Sequence, residues 1–125
     1  MDNTHGALLV RNLLEVFNER HEDKRLSTIK QLYTPNAVFY EADGDEPIQG
    51  HDRINNTVTK LLQSLPPDGM FQVTGTPTAN HNLARMTWKL ESADSVLASG
   101  MDVGLFSGEQ IEAIYLFIDP PSSTR

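Results

Sequence analysis

The 125-residue sequence contains no cysteine, which excludes disulfide bonds, thiolate metal sites and a cysteine nucleophile. It also lacks any apolar run long enough to span a bilayer. The opening residues MDNTHGALLVRNLLEVF have neither the basic region nor the uninterrupted apolar stretch of a secretion signal. We therefore predict a soluble, cytoplasmic protein with no membrane partner.

Basic residues are scarce, since ten Lys and Arg stand against seventeen Asp and Glu, for a net charge of −7. This charge repels phosphate backbones, so nucleic acid is not an expected partner. The histidines His5, His21, His51 and His81 do not have the spacing of a helical metal site. There is also no glycine-rich phosphate loop and no serine nucleophile elbow. We therefore expect neither a metal nor a cofactor.

The apolar residues that are present recur at helical spacing in three places. Spacings of three and four predict a helix from Ala7 to about Arg20 and a shorter one over 26–33, which Pro35 ends. A third helix is predicted over 51–65, after a turn rich in glycine and acidic residues. The first helix carries its apolar stripe on Leu9, Leu13, Val16 and Phe17.

After the third helix the hydrophobic period changes to two, which is typical of strands. With one strand before that helix, the predicted strands are 37–42, 70–78, 82–91, 95–106 and 110–119. This order of elements predicts an α+β domain with helices on one face of a curved, mostly antiparallel sheet. Residues 1–118 form a single domain in this interpretation, and the polar, proline-led residues 119–125 form a flexible tail.

Alternation along the predicted strands places two carboxylates on inner faces beside apolar or small residues. Glu41 shares its face with Phe39, and Asp102 lies between Gly100 and Gly104. The two glycines are expected to leave open space beside Asp102. Because burying an ionised carboxylate is costly, each acid must find a donor or stay protonated, so together they could act as an acid and base pair. The alternative is that both acids lie in solvent at strand ends.

Large apolar residues occupy the opposite face of the 95–106 strand. Leu97, Met101, Val103 and Leu105 are predicted to point away from the helices. An apolar patch of this size is rarely left exposed in a monomer. We therefore predict a homodimer formed through the outer face of the sheet.

The segment LYTPNAVFYEADGDEPIQGHDRI, residues 32–54, resembles the helix, strand and turn of the ketosteroid isomerases. These enzymes belong to the nuclear transport factor 2-like superfamily, which also includes polyketide cyclases. The matches include the leucine before Tyr33, Ala37, the GDEP turn, Gly50 and Ile54. The resemblance extends over about residues 10–118. It implies a cone-shaped, curved sheet that three helices close around an apolar pocket.

The resemblance also implies roles for the two acids, because the catalytic aspartate of the family falls on Glu41 and its second acid falls on Asp102. Glu41 would abstract a proton next to the carbonyl of a small apolar substrate, and neutral Asp102 would donate to the enolate oxygen. The result would be isomerisation or aldol-type cyclisation without a cofactor. Leu13 stands where the family has a tyrosine donor, and losing one such donor typically costs on the order of 10²–10³ in rate.

Apolar side chains on the inner faces are the candidates for binding the substrate. They are Leu13, Phe17, Phe39, Met86, Trp88 and Phe106. A non-catalytic ligand-binding or dimerisation module of the same fold is the alternative function, in which both acids are residual. Epoxide hydrolysis is disfavoured, because that chemistry places an arginine between two aspartates and Arg85 is predicted to face outward. An open cone would favour the enzyme, and a filled one the module.

Overall fold

The computed structural model describes residues 3–44 and 46–120, which form α-helices packed on a six-stranded sheet. The helices are α1 (Thr4–Asn12), which continues into a π-helical turn (Leu13–Phe17), α2 (Glu22–Leu32) and α3 (His51–Gln63). The strands are β1 (Tyr33–Tyr40), β2 (Ile48–Gln49), β3 (Met70–Asn80), β4 (Leu83–Ser92), β5 (Ser95–Ser107) and β6 (Gln110–Ile118). Their order in the sheet is β2, β1, β6, β5, β4, β3.

The predicted α+β architecture is confirmed. Neighbouring strands are antiparallel except for the parallel pair β1 and β6, and the sheet is curved and unclosed. Along β4 the inward residues are buried and the outward residues are exposed or half-buried, as alternation predicts. None of the helices in residues 3–44 and 46–120 has the length and apolar character needed to cross a membrane. Of the predicted tail, residues 121–125 lie outside the described residues.

The first helix ends earlier than its apolar spacing predicts, at Phe17 and not near Arg20. Asn18, the next residue, forms two hydrogen bonds to the start of β3 through the nitrogen and the oxygen of its side-chain amide. Its Nδ2 donates to the carbonyl oxygen of Phe71 at 2.9 Å, and its Oδ1 accepts from the Phe71 amide at 2.7 Å. These long-range bonds replace the next helical turn, which is why periodicity alone missed the boundary.

Helix α2 begins at Glu22, within the charged run, so the predicted range 26–33 is too short at its start. The ring Nδ1 of His21 accepts a hydrogen bond from the backbone N–H of Lys24 at 3.3 Å and caps the helix. Acidic residues in the first turn also suit the positive end of a helix dipole. At the other end, Tyr33 begins β1 and does not belong to the helix.

A buried arginine ties α2 to α3. Arg25 is 1% exposed, and its Nη1 donates to the carbonyl oxygen of Asn55 at 3.1 Å, to Oδ1 of Asn55 at 3.0 Å and to Oγ1 of Thr59 at 2.6 Å. Its Nε donates to the carbonyl oxygen of Glu19 at 3.0 Å. These bonds hold α3 in place over the sheet, where it forms one wall of the cavities described below.

Candidate functional site

Asp102 is the one carboxylate that is buried among the described residues, with 4% of its surface exposed. It lies on the inner face of β5, and Trp88 Nε1 donates a hydrogen bond to its Oδ1 at 3.0 Å. Burial raises the pKa of Asp102 to about 7, although the hydrogen bond from Trp88 acts to lower it. Near neutral pH the carboxyl group is therefore present in both forms and can accept or donate a proton.

Large side chains fill the space directly over the two glycines that flank Asp102. Gly100 lies opposite Trp88 in the β4 and β5 register, and a β-carbon at Gly100 would come within 2.7 Å of Trp88 Cζ2. On the other side, a β-carbon at Gly104 would lie 3.0 Å from Leu9 Cδ2. The expected open space beside Asp102 is therefore absent over the two glycines and lies in the cavity described next. The glycines let neighbouring side chains approach the backbone, and one of these supplies the donor to Asp102.

An apolar cavity of about 120 Å³ lies in front of Asp102. Its lining residues are Leu13, Phe17, Leu61, Phe71, Trp88, Leu90, Ala98, Asp102, Leu116 and Ile118. The wall includes three of the predicted substrate-binding residues, Leu13, Phe17 and Trp88. Asp102 is the one ionisable group in this wall, so a ligand here would meet an apolar surface with a single acid.

A second cavity, of about 310 Å³, adjoins the first. The two have Phe17, Leu61, Leu116 and Ile118 in common. The remaining wall comes from Phe39, from α3 and from the turn that begins at residue 41. The two cavities therefore adjoin each other. We call the one with buried Asp102 in its wall the closed end, and the one beside the turn, with Glu41 in its wall, the mouth.

Glu41 lies at this mouth and is exposed. Strand β1 ends at Tyr40, so Glu41 is already in the turn, where a β-carbon at Gly44 would lie 3.4 Å from its Oε1. The prediction that Glu41 and Asp102 are both buried is therefore wrong for Glu41, because the strand is shorter at this end than alternation indicates. Its catalytic role stays a prediction.

Met86 and Phe106 belong to the core and line neither of these two cavities. Phe106 stacks against the ring of His5 with centroids 4.2 Å apart and an interplanar angle of 9°. Met86 is opposite Asp102 in the sheet register, but its side chain is 1% exposed. This placement does not support their predicted contact with substrate. Phe106 packs near the start of α1, and Met86 lies on β4, a strand that α1 contacts.

Sequence reasoning missed a buried polar pair formed by Asn12 and Tyr33. The Tyr33 hydroxyl donates to Asn12 Oδ1 at 2.5 Å, and both residues are fully buried. Burial raises the pKa of the Tyr33 hydroxyl far above its ordinary value, the charge of Asp102 raises it further, and the bond to Asn12 opposes both. The signal was present in the sequence, because Asn12 falls on the apolar stripe, three residues after Leu9 and four before Val16.

No protein-family model and no curated protein matches the sequence. Solved structures do match. A proposed isomerase of the SnoaL-like family from Agrobacterium tumefaciens has a TM-score of 0.84 and 23% identity, covering 95% of this chain and 100% of that one. A proposed SnoaL-like polyketide cyclase from Jannaschia has a TM-score of 0.75 and 11% identity, with coverages of 94% and 87%. A proposed ketosteroid isomerase from Kribbella flavida has a TM-score of 0.73 and 16% identity, with coverages of 98% and 82%.

The chain has the nuclear transport factor 2-like fold. The fold predicted from residues 32–54 is thus confirmed. At sequence identities of 11–23%, the similarity to these structures establishes the fold only. Because one fold hosts many functions, the reaction has to be inferred from the residues of the site.

Two of the four histidines, His5 and His51, contact backbone carbonyl groups. His51 Nε2 lies 2.9 Å from the carbonyl oxygen of Thr34, and His5 lies 3.1 Å from that of His81 and 2.8 Å from that of Gly108. Within residues 3–44 and 46–120, no group of three or more His, Asp or Glu side chains is arranged to hold a metal ion.

The outer face of the sheet carries apolar side chains on β5 and β6. Met101, Val103 and Leu105 are half-buried, whereas Leu97 lies at a shift in the β4 and β5 register and is 47% exposed. β6 adds exposed aromatic residues to this face, among them Phe117 at 55% exposure. The side of the sheet that faces away from the cavities therefore presents apolar side chains along β5 and β6.

Proposed function

We propose that this protein binds a small apolar carbonyl compound in the two adjoining cavities and moves a proton next to the carbonyl without a cofactor. The observation that carries this proposal is Asp102, a carboxyl group with a pKa of about 7 at the closed end of an otherwise apolar cavity. Perturbed acids in clefts are candidates for general acid–base catalysis. The SnoaL-like and ketosteroid isomerase-like neighbours have the same fold and are consistent with this class of reaction.

The chemistry needs one group that exchanges a proton with carbon. Ionised Asp102 would take a proton from the carbon next to the carbonyl, and the C–H electron pair would form the carbon–carbon double bond of an enolate. Return of the proton to another carbon completes an isomerisation. Alternatively, the enolate carbon attacks a second carbonyl in the same molecule, and the new alkoxide takes the proton, which completes an aldol-type cyclisation.

Asp102 takes the role of base that the family resemblance implies for Glu41. In that assignment Glu41 is the base and Asp102 is the neutral donor. The exposure of Glu41 at the mouth and the burial of Asp102 favour Asp102 as the group that exchanges the proton. Glu41 would then contact the part of the ligand that lies nearest to solvent.

Hydrogen exchange in a model ketone tests this function without knowledge of the natural product. We would follow the loss of the protons next to the carbonyl of 2-tetralone in D₂O by proton NMR. The protein should accelerate the exchange, Asp102→Asn should abolish the acceleration, and Glu41→Gln, the matched control, should retain it. The rate should rise with pH through about 7, since the ionised form of Asp102 is the base.

Three results would contradict parts of this proposal. Loss of exchange in Glu41→Gln alone would restore the roles implied by the resemblance. Binding of 2-tetralone without any accelerated exchange would favour the non-catalytic ligand-binding module. Failure of 2-tetralone to bind would contradict the proposed class of ligand.

We also propose that two copies of the chain associate through the outer face of the sheet. Met101, Val103 and Phe117 would be covered in such a dimer, and the cavities on the opposite face would stay accessible. Sedimentation at micromolar concentration should give a dimer, and Val103→Lys should give a monomer with an unchanged circular dichroism spectrum. A monomeric parent protein would contradict the proposal.

A further inference from the structure

The hydrogen bond between Trp88 and Asp102 engages only one of the two carboxylate oxygens. Trp88 Nε1 donates to Oδ1 at 3.0 Å, whereas Oδ2 has no hydrogen-bond partner among the described residues. Both side chains line the cavity of about 120 Å³. Because Trp88 occupies Oδ1, Oδ2 is the oxygen left for a molecule in that cavity.

The indole of Trp88 is held in place by its neighbours. Gly100, opposite it in the sheet register, lets the ring lie against β5, since a β-carbon there would come within 2.7 Å of Cζ2. The ring of Phe71 meets the indole edge-on, with centroids 5.5 Å apart and an interplanar angle of 78°. The indole is 4% exposed. Its N–H group is therefore a fixed donor to Asp102.

No other charged side chain lines the cavity beside Asp102 in the described part of the chain. The rest of the wall, from the π-helical turn, α3 and strands β3 to β6, carries no ionisable group. Tyr33 on β1 is the nearby titratable residue. Burial raises the pKa of its hydroxyl far above the ordinary value and the charge of Asp102 adds to this, so Tyr33 stays neutral. The indole N–H is thus the donor that favours the ionised form of Asp102.

We propose that Trp88 is a positioning residue that reserves Oδ1 of Asp102 and leaves Oδ2 as the oxygen that exchanges the proton with the ligand. This inference rests on the proposed function, in which Asp102 is the base. Oδ2 takes the proton from the carbon next to the carbonyl and later returns it, while Oδ1 keeps its bond to the indole. The same bond keeps the base available at a pH where burial alone would hold it protonated.

Trp88→Phe tests the proposal, because the donor and the packing of the indole predict opposite results. Loss of the N–H should move the midpoint of the pH profile of 2-tetralone exchange upward by about one pH unit, a tenfold change in proton affinity. If the indole only packed, the smaller ring would admit water to the carboxylate and move the midpoint downward. Phe71→Leu is the control, because it loosens the same wall without removing a donor. Its midpoint should not rise.

A titration that needs no catalysis separates this inference from the proposed function. Carbon-detected NMR should show the carboxyl carbon of Asp102 titrating at higher pH in Trp88→Phe than in the parent, even where 2-tetralone exchange fails. In the unaltered protein, the indole N–H resonance of Trp88 should shift as Asp102 ionises, and Asp102→Asn should remove that shift. A midpoint that stays or falls in folded Trp88→Phe, or an indole resonance that does not respond to pH in the parent, would overturn the proposal.

Discussion

The closed end and the mouth of the two cavities each carry one carboxylate, but only the carboxylate at the closed end is buried. Asp102 lies in β5, which has paired strands on both sides, and a tryptophan donor covers it. Glu41 follows the last residue of β1 and lies in a turn. The comparison shows that Asp102, inside a paired strand, is buried, whereas Glu41, one residue past the end of its strand, is exposed.

The electrostatic consequence follows from this difference in surroundings. At the closed end, burial favours the neutral form of Asp102, because little water remains to solvate the charge. At the mouth, water reaches Glu41 directly. The following variants test the contrast, from the largest expected effect to the smallest.

The largest effect should come from Asp102→Asn and should depend on pH. Because the folded pKa of about 7 lies above the ordinary value of 3.8, the unfolded state loses its proton first as pH rises. The parent protein should therefore lose stability between these two pH values, by on the order of 4 kcal/mol in total. Asp102→Asn should equal the parent near pH 4 and exceed it above pH 7.

Urea unfolding at several pH values checks this result. Trp88 is the only tryptophan in the chain, so its fluorescence follows the transition. Parallel pH profiles for the two proteins would show that Asp102 is solvated and would remove the difference between the two ends.

The next effect should come from Gly100→Ala at the closed end. The new β-carbon would overlap the carbonyl oxygen of Phe117 and press on the indole of Trp88. We expect a loss of about 3 kcal/mol, at the upper end for overpacking, with a shift in tryptophan emission as the indole moves. Gly108→Ala is the control, because its left-handed φ of 59° strains the backbone but its β-carbon meets nothing. Equal emission spectra for the two variants would contradict the packing described here.

A smaller effect should come from Leu13→Tyr, which restores the donor found in the family. The cavity of about 120 Å³ beside Leu13 can receive part of the larger ring. We expect a stability loss below about 1.5 kcal/mol, together with faster exchange of 2-tetralone. Leu9→Tyr is the control, since Leu9 is fully buried, lines neither cavity and should not tolerate the ring. If both variants unfold alike, the wall at Leu13 is as tightly packed as the core.

The smallest effect should come from Glu41→Gln at the mouth. Replacing an exposed side chain typically changes stability by less than about 0.5 kcal/mol. Urea unfolding at pH 7 measures the difference between this variant and the parent. A change as large as that of Asp102→Asn would mean that the mouth closes over Glu41 in solution.

Local patterns in the sequence determined the order of the elements apart from the two-residue strand β2, the inner and outer faces of β4, and the place of Asp102 between its glycines. Such features depend on periodicities of two and of three to four, which neighbouring residues impose on the chain. The resemblance in residues 32–54 added the fold correctly. Local patterns did not predict that β1 ends at Tyr40. The length of the strand depends on its pairing with β6, which lies far along the chain.

Tertiary structure alone decided which acid is buried, what fills the space over Gly100 and which donors surround the closed end. The indole of Trp88 reaches Asp102 because the antiparallel register sets it opposite Gly100. Asn12 and Tyr33 meet only when the end of α1 and the start of β1 come together in the fold. These contacts join residues that are remote in sequence, and the pKa of Asp102 follows from them, so no local pattern could reveal that chemistry in advance.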